Sequence, residues 1–321
     1  MLVYRSLAEL GSSTSTSVVT VGNFDGVHCG HQMVIASLME RARALQSRTC
    51  AITFHPHPAQ VLHPDAPLQL ITPLEEKLKL LAETGLDSVL VLPFTSELRH
   101  WTALHFAQRV LHQGLHAVEV HEGETFRFGY QAESDVAGLA EMGRRLGFAV
   151  QAYVPRIARG APISSSRIRA AITDGRLQEA RALLGRPFSV VSTPAPGRGY
   201  GTRYAVPTIN LAPYDHLLPA NGVYVTTLRI GAERVFQGVT NVGNRPTFGA
   251  DSFAVESHLL NYEPMDLNET TPLQLTFLRR LRAERRFASP EALREQIRVD
   301  VQRALRYFAL TEALRQPKQP R

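Results

Sequence analysis

One stretch of the sequence decides the fold, and it reads Val18-Val19-Thr20-Val21-Gly22-Asn23-Phe24-Asp25-Gly26-Val27-His28-Cys29-Gly30-His31. Its first four residues are mostly apolar and β-branched and predict a short buried strand, whereas apolar residues recur at helical spacing from Gln32 onward. Glycine in the connecting turn lets the backbone approach a ligand closely, and the first N–H groups of a helix attract anions. The stretch therefore predicts a phosphate-binding loop between a strand and a helix.

Two histidines, His28 and His31, lie at the end of this loop. Residues three positions apart are neighbours on a helix, so both imidazoles can reach one phosphate and stabilise the charge that develops on it during transfer. The lysine-centred phosphate loop G-x-x-x-x-G-K-[ST] is absent, so we expect histidine to replace lysine as the phosphate-facing cation. The sequence contains 12 histidines, and an isolated pair would be weak evidence without this context.

Composition indicates a two-domain globular protein, because 321 residues can bury two full cores. Two cysteines cannot form a disulfide framework, and no signal peptide or long apolar span is evident, so we expect a cytoplasmic protein without membrane contact. The net charge of +6 suits anionic ligands. Because the basic residues near the motifs are single arginines, we expect the anionic ligands to be nucleotides rather than nucleic acid. We also expect a monomer or weak oligomer.

The first half of the chain alternates strands with helices, which is typical of a parallel sheet covered on both faces. The predicted strands are residues 18–21, 50–54, 88–92, 117–120 and 149–153. We expect a capping box at Thr72 to begin one helix, and Ser134 to begin another.

The pattern changes at Gly185-Arg186-Pro187, after which short strands are separated by Pro, Gly and Asn turns. This pattern is typical of a β-barrel. We therefore predict an α/β domain over residues 1–185 and a barrel domain over residues 186–321.

The segment from Gly22 to His31 resembles the G-x-F-D-G-x-H-x-G-H signature of nucleotidylyltransferases, in the version found in prokaryotic bifunctional riboflavin kinase/FAD synthetases. The resemblance implies a Rossmann-like domain in which FMN attacks the α-phosphorus of ATP, giving FAD and pyrophosphate. It implies catalytic roles for His28 and His31. It also implies that nucleotide or flavin is bound by Gly22, Asn23, Phe24, Asp25, Gly30, His57 of the F-x-P-H-P loop, Thr125, and Ser164, Ser165 and Arg167 of the I-S-S-T-x-I-R motif.

A second set of motifs resembles the riboflavin kinase module, a six-stranded-type β-barrel with a C-terminal helix. The glycine-rich run Gly197-Arg198-Gly199-Tyr200-Gly201 precedes Pro207-Thr208-Ile209-Asn210, which is similar to P-T-A-N. The resemblance implies phosphate or flavin binding by Gly197, Gly199, Gly201, Pro207 and Asn241, and Mg²⁺ binding by Thr208 and Asn210. It further implies that Glu256 is the general base that accepts the ribityl hydroxyl proton.

Several positions depart from the family pattern, among them Ser166 in place of threonine and the stretch 192–196, which lacks the usual residues at the front of the glycine loop. Thr125 stands where a carboxamide or carboxylate is usual, Ala205 replaces a glycine before the P-T-x-N motif, and Ile209 replaces a small alanine. The expected function is synthesis of FMN and then FAD from riboflavin and ATP. One alternative is an FAD synthetase with a weak or only flavin-binding kinase module, and another is a protein that binds nucleic acid. A zinc site formed by the histidines is not expected, because no cysteine or acidic ligand pattern accompanies them.

Overall fold

The computed structural model describes residues 1–11, 15–66, 68–195, 208–231, 234–244, 253–260 and 267–315. It divides into two compact units, Met1–Ser165 and Ser166–Arg321.

The first unit is built on a six-stranded parallel sheet. The strands of this unit are β1 (Leu2–Tyr4), β2 (Ser17–Val21), β3 (Arg48–His55), β4 (Ser88–Pro93), β5 (Ala117–Gly123), β6 (Arg127–Phe128), β7 (Ser134–Asp135), β8 (Ala149–Tyr153), β9 (Ile157–Ala158) and β10 (Ala161–Pro162). The strand pairs β6–β7 and β9–β10 form two small sheets apart from the main one. Its helices are α1 (Cys29–Ala44), α2 (Pro58–Leu62), α3 (Leu74–Ala82), α4 (Ala103–Phe106), which continues as a π-helical segment Ala107–Gly114, and α5 (Val136–Leu146).

The strand order of the main sheet is β1-β4-β3-β2-β5-β8, with every pair parallel. The chain runs outward from β2 through β3 and β4, and then returns to place β5 on the other side of β2. In open α/β sheets, ligands bind at the carboxyl ends of the strands where the order reverses. The topology therefore places the predicted loop after β2 at the crevice where a ligand is expected.

All five predicted strands of the first unit are present, and β2 is buried along its whole length. Val18 packs on the side of the sheet that α1 covers, through Ile35 and Leu38, whereas Val19 packs on the opposite side. A parallel strand buried on both faces has a continuous apolar sequence, which is why β2 could be recognised.

Two predicted helix starts are wrong in detail. Helix α3 begins at Leu74, with Pro73 as its N-cap and no side-chain cap. The hydroxyl of Thr72, which was predicted to cap this helix, bonds instead to the loop after β2. Helix α5 is capped by Asp135, whose carboxylate accepts from the Gly138 N–H at 3.0 Å, rather than by Ser134.

The second unit is an antiparallel sheet with flanking helices. It comprises α6 (Ser165–Thr173), α7 (Leu177–Leu184), β11 (Phe188–Ser192), β12 (Pro194–Ala195), β13 (Thr208–Leu211), β14 (Gly222–Ile230), β15 (Arg234–Asn244), β16 (Phe253–Leu260), β17 (Leu273–Ala283) and α8 (Pro290–Arg315). The strand order is β11-β17-β14-β15-β16-β13-β12. Two register shifts between β14 and β17 increase the twist of the sheet, as a barrel requires.

The two faces of this sheet have different partners. Tyr224, Leu228 and Phe277 point inward and are fully buried. On the outer face, Val223 and Val225 pack with α8 through Ala304 and Phe308. Helix α8 is also held by a buried ion pair in which the Arg282 guanidinium lies 2.9 Å from the Asp300 carboxylate. The predicted barrel-type domain and C-terminal helix are confirmed, with seven strands in the described part of the sheet.

A buried carboxyl group closes the sheet where β2 and β5 separate. Glu122 on β5 is 3% exposed, and its Oε1 accepts from the Val21 N–H at 2.5 Å. Burial raises the pKa of Glu122 well above its usual range, and the single backbone hydrogen bond opposes this only in part. The carboxyl group thus accepts the Val21 N–H that a backbone carbonyl would otherwise accept, directly before the loop that follows β2.

This burial predicts a pH-dependent gain in stability for Glu122→Gln. The folded chain holds the Glu122 proton more tightly than the unfolded chain, so the carboxyl group costs stability as pH rises above the unfolded pKa of about 4.3. Glutamine can still accept from Val21, so the Tm of the variant should exceed that of the parent at pH 8 by a margin that shrinks toward pH 5.

The unfolding of the first unit can be followed separately, because Trp101 is the only tryptophan of the chain and packs against that unit's core. The exposed neighbour Glu124 provides the matched control, and Glu124→Gln should leave the fluorescence-detected Tm unchanged across this range. Equal Tm differences for Glu122→Gln at pH 5 and pH 8 would contradict the assignment of a desolvated carboxyl group.

Candidate active sites

The loop after β2 ends at the first turn of α1, and His28 is the residue that begins this helix. Its backbone is extended, with φ −74° and ψ 170°, and its Nδ1 accepts from the His31 N–H at 3.3 Å. A side chain in this position satisfies one of the N–H groups that the helix leaves unpaired. His28 is also 6% exposed, so its ring is held both by the cap and by packing.

The imidazoles of His28 and His31 stack on each other. Their ring centroids are 3.5 Å apart and their planes differ by 15°, as expected from the spacing in the sequence. Gly30 makes this arrangement possible, because a Cβ at that position would lie 3.1 Å from both Cε1 and Nδ1 of His28. A side chain at position 30 would therefore press against the histidine ring.

The imidazole of His31 is buried beside His28 and Lys77. Its Nδ1 is buried and has no hydrogen-bond partner among the described residues. Burial, followed by the proximity of His28 and Lys77, lowers the pKa of His31 well below its usual range, so the imidazole is uncharged at neutral pH. The expectation of a cationic imidazole is therefore not met at His31, because burial and the neighbouring His28 and Lys77 disfavour a second proton.

The backbone of the loop is held in an uncommon conformation. Phe24 and Val27 have φ values of 47° and 39°, in the left-handed region that side chains other than glycine rarely adopt. The Phe24 ring lies edge-on to His31, with centroids 5.1 Å apart, and a Cβ at Gly22 would lie 3.2 Å from the same ring. Both glycines of the motif therefore make room for aromatic rings.

Asp25 anchors the loop to the segment before α3. Its buried carboxylate accepts from the backbone N–H groups of Ile71 and Thr72 at 3.1 and 3.0 Å, and from the Thr72 hydroxyl at 3.4 Å. The Gly26 N–H in turn donates to the Thr72 hydroxyl at 3.0 Å. The predicted ligand-binding residue Asp25 thus lies in the scaffold of the loop.

Lys77 of α3 is not among the predicted site residues. This lysine is 6% exposed, and its ammonium donates to the Asn23 carbonyl at 3.1 Å and to the Thr53 hydroxyl at 2.9 Å. Its position between the core residues Leu74 and Leu78 of an amphipathic helix was the available signal.

Other predicted residues follow the carboxyl ends of neighbouring strands. His57, after β3, caps α2 through Nδ1, which accepts from the Ala59 N–H at 3.1 Å. Thr125 lies in an exposed turn after β5. The Ser165 hydroxyl donates to the Asp25 carbonyl at 2.8 Å, which brings the serine motif to the loop, and Ser164 beside it is exposed.

The predicted phosphate ligand Arg167 lies in the second unit. Its guanidinium pairs with Glu179 of α7, with Nη2 3.0 Å from Oε1. Glu179 therefore competes with a nucleotide phosphate for this guanidinium.

The predicted kinase residues lie side by side on the outer face of the second unit's sheet. Asn210 of β13 pairs with Glu256 of β16, and Glu256 also pairs with Asn241 of β15. Residues directly opposite on adjacent antiparallel strands point to the same face, about 4.5–5.5 Å apart at Cβ. Thr208, two residues before Asn210, points to that face as well. The register therefore brings together four of the predicted residues.

A second carboxylate lies at the edge of this cluster. The Glu284 carboxylate covers Gly243, where a Cβ would lie 2.5 Å from both carboxylate oxygens. The glycine of the Asn241-Val242-Gly243-Asn244 run was the available sequence signal. The other predicted residues of this half, Gly197, Gly199, Gly201 and Pro207, and the substituted position Ala205, lie outside the described residues.

Within the described ranges, no group of three or more His, Cys, Asp or Glu side chains is placed to hold a metal ion. In the same part of the chain, no helix has both the length and the apolar character needed to cross a membrane.

A parallel sheet with paired histidines at its switch point, followed by an antiparallel barrel-type sheet with an acid and amides on one face, defines a two-unit enzyme of nucleotidyl and phosphoryl transfer. The family model for FAD synthetase matches residues 11–167, and the family model for riboflavin kinase matches residues 184–308. The chain belongs to the family of bifunctional riboflavin kinase/FMN adenylyltransferases, which phosphorylate riboflavin to FMN and adenylylate FMN to FAD.

Relatives of this name match almost the whole chain. The Pseudomonas fluorescens protein is 35% identical over 94% of this chain and 96% of its own length. The Escherichia coli K12 protein is 34% identical over 97% of this chain and 99% of its own. A solved structure titled as a macrolide-efflux protein from Streptococcus pneumoniae is 27% identical, with a TM-score of 0.83 over 94% of this chain and 97% of that one.

The anchoring of the loop predicts that Asp25→Asn slows FAD synthesis without affecting FMN synthesis. The amide places an NH₂ group against backbone donors, and a hydrogen bond to a charged group contributes about 1.5–3 kcal/mol. The loop should shift, and the rate of FAD formation from supplied FMN should fall.

Thr72→Val is the graded comparison, because it removes only the hydroxyl bonds to Asp25 and Gly26, and its effect should be smaller. An Asp25→Asn enzyme with unchanged FAD synthesis would contradict a role of these bonds in shaping the loop.

Proposed function

We propose that the first unit transfers AMP from ATP to FMN at the loop between β2 and α1. The observation that carries this proposal is the stacked pair of His28 and His31 at the start of a helix, with a buried and unpartnered His31 Nδ1. A phosphate oxygen of FMN attacks the α-phosphorus of ATP, and pyrophosphate leaves. The imidazole donors and the first N–H groups of α1 stabilise the charge that develops on the phosphates.

The remaining residues divide by what they contact. Asn23, Phe24 and Asp25 shape the loop, while the glycines at positions 22 and 30 make room for the rings of Phe24 and His28. We propose that the exposed Ser164 and Thr125 contact ligand, with Ser165 placed by its bond to Asp25, whereas His57 contributes through the nitrogen that does not cap α2. Phosphate binding by Arg167 remains a prediction.

In the second unit, we propose that Glu256 accepts the proton of the ribityl hydroxyl as it attacks the γ-phosphorus of ATP, with ADP as the leaving group. Asn241 lies directly opposite Glu256 and is placed to hold the substrate or the base. We propose that the glycines at 197, 199 and 201, with Pro207, cover the phosphates of ATP.

The residues Thr208 and Asn210 fit a magnesium site. Mg²⁺ that bridges phosphates keeps several waters and takes few protein ligands, and these are oxygen atoms. A hydroxyl and an amide oxygen on the same face of β13, next to a carboxylate, provide such a donor set. Bound Mg²⁺ would neutralise the charge of the transferred phosphoryl group.

We extend the proposal to the boundary between the two activities and to the state of the enzyme in the cell. We place the boundary between the two activities at residues 185 and 186, close to the start of the riboflavin kinase match at residue 184. We also propose that the enzyme is cytoplasmic, acts on small molecules rather than nucleic acid, and is a monomer or weak oligomer.

His28→Ala and His31→Ala should each abolish most FAD synthesis while FMN synthesis continues. Loss of one charge-stabilising group costs about 10²–10³ in rate. With riboflavin, ATP and Mg²⁺, separation of the flavins should show that FMN accumulates. The exposed His63 is a matched control, and His63→Ala should make FAD at the parent rate. Near-parental FAD synthesis by both variants would show that the histidines are structural.

Glu256→Gln should reduce riboflavin phosphorylation by about 10²–10⁴, because the amide retains the size of the side chain but cannot accept the proton. FAD synthesis from supplied FMN should be unchanged. Thr208→Ala should instead be partly rescued by added Mg²⁺, which cannot rescue the glutamine variant.

The exposed Glu269 provides the matched acid, and Glu269→Gln should phosphorylate riboflavin normally. If Glu256→Gln also did so, another base would be needed. If the parent formed no FMN, the second unit would be a flavin-binding module and the enzyme an FAD synthetase only.

A further inference from the structure

The first unit contains a buried cation that is held by neutral oxygens of the loop after β2 and of β3. Lys77 lies on α3 between residues that pack into the core, and 6% of it is exposed. Removing an ammonium from water costs several kcal/mol unless the group is paired or well hydrogen-bonded. Among the described residues, its ammonium donates to two neutral oxygens, the Asn23 carbonyl and the Thr53 hydroxyl. A lysine with a purely structural role would be more stable beside a carboxylate or in contact with solvent.

The two acceptors of Lys77 belong to one small network at the phosphate loop. The Thr53 hydroxyl, at the end of β3, also donates to the Asn23 carbonyl, at 3.2 Å. Lysine, threonine and the loop carbonyl therefore form a closed triangle of 3.1, 2.9 and 3.2 Å. The next residue is Phe24, whose positive φ directs its ring onto His31. The ammonium thus holds the peptide that determines where the Phe24 ring lies.

We propose that Lys77 is a positioning residue for adenylyl transfer, which clamps the Asn23 carbonyl of the loop and places a positive charge beneath the nucleotide phosphates. This inference rests on the proposed function of the loop between β2 and α1. It differs from a direct phosphate contact, because Lys77 acts through the loop and through the field of its charge. A buried charge is weakly screened, so it attracts anionic phosphates more strongly than a surface lysine would.

The charge of Lys77 depends on pH within an accessible range. Burial lowers the pKa of Lys77 to about 8, and the nearby Asp25 opposes this shift. The other titratable groups that face it are His31 on α1 and His55 at the end of β3, and Lys77 lowers the pKa of both. As pH rises through 8, the ammonium loses its proton, so FAD synthesis should decline on the alkaline side while FMN synthesis does not share this transition.

The test compares Lys77→Met with Lys79→Met in the full chain. Lys79 lies on the same helix with a side chain that is 66% exposed, so its replacement controls for the loss of one positive charge. Lys77→Met should lower kcat for FAD synthesis by about 10²-fold, as expected for a small displacement of reacting groups, with the KM for FMN changed less than about threefold. Riboflavin phosphorylation by the same sample should remain at the parent rate.

The Lys77→Arg variant tests the pH dependence of FAD synthesis, which a purely structural role of Lys77 would leave unchanged. Guanidinium keeps its charge above pH 12, so the alkaline decline of FAD synthesis should disappear from the range around pH 8. Thr53→Val removes the two sides of the triangle that involve the hydroxyl but keeps the charge and the bond from Lys77 to the Asn23 carbonyl. It should therefore lower kcat less than Lys77→Met and leave the alkaline decline in place. Trp101 fluorescence of each variant identifies any that fails to fold.

The outcomes separate this inference from the proposed function. Normal FAD synthesis by Lys77→Met, or an unchanged alkaline decline in Lys77→Arg, would overturn the role of Lys77, even if His31→Ala were inactive. Loss of FAD synthesis in Lys77→Met with full activity in His31→Ala would support Lys77 and overturn the role of His31. If Lys77→Met does not fold, the pH profile of Lys77→Arg decides the question.

Discussion

The hydrogen bond from the His31 N–H to His28 Nδ1 is the interaction on which the first site depends. It caps the first turn of α1 and holds the His28 ring where a Cβ at Gly30 would lie 3.1 Å from two of its atoms. It also sets a tautomer, because a neutral imidazole has one donor nitrogen and one acceptor nitrogen. With Nδ1 accepting, the proton of neutral His28 lies on Nε2. The helix cap therefore also decides which nitrogen of His28 can donate a hydrogen bond.

A loop with two strained residues needs support from several directions. Such backbone conformations persist only where the surroundings determine them more strongly than local preference does. Asp25 holds the loop to the backbone of Ile71 and Thr72, Lys77 holds its Asn23 carbonyl, and Ser165 donates to its Asp25 carbonyl. These contacts come from three different parts of the chain. A rigid loop costs little reorganisation when charge develops on the substrate, which is the basis of electrostatic catalysis.

Much of the fold could be predicted from the sequence because buried parallel strands and paired glycine motifs have strong patterns. The edge strand β1 was missed because Leu2–Tyr4 has only three residues and Leu2 and Val3 are exposed, so it lacks a periodic signal. The capping box at Thr72 was wrong because the sequence could not show that the hydroxyl has a second possible partner, Asp25. Tertiary contact decided between two locally reasonable hydrogen bonds.

The charges of the first site were the least predictable feature. A lysine in an amphipathic helix is expected on the solvent side, and this expectation outweighed the position of Lys77 between Leu74 and Leu78. His31 was expected to carry the positive charge, but burial near Lys77 keeps its imidazole neutral. The buried lysine beside this loop comes from α3 instead of from the loop motif. Only the packing of α3 against the loop could show this.

The second site depends on strand register instead of loop shape. A slip of one residue in β16 would replace Glu256 with Ser257 on the outer face and bury the carboxylate. Inside the sheet, the Thr240 hydroxyl lies 2.7 Å from both the Thr226 and the Ser257 hydroxyls, and all three residues are fully buried. A slip would leave these groups unpaired and desolvated, which costs about 1–3 kcal/mol for each group. The buried hydroxyls on one face therefore hold Asn210, Glu256 and Asn241 together on the other.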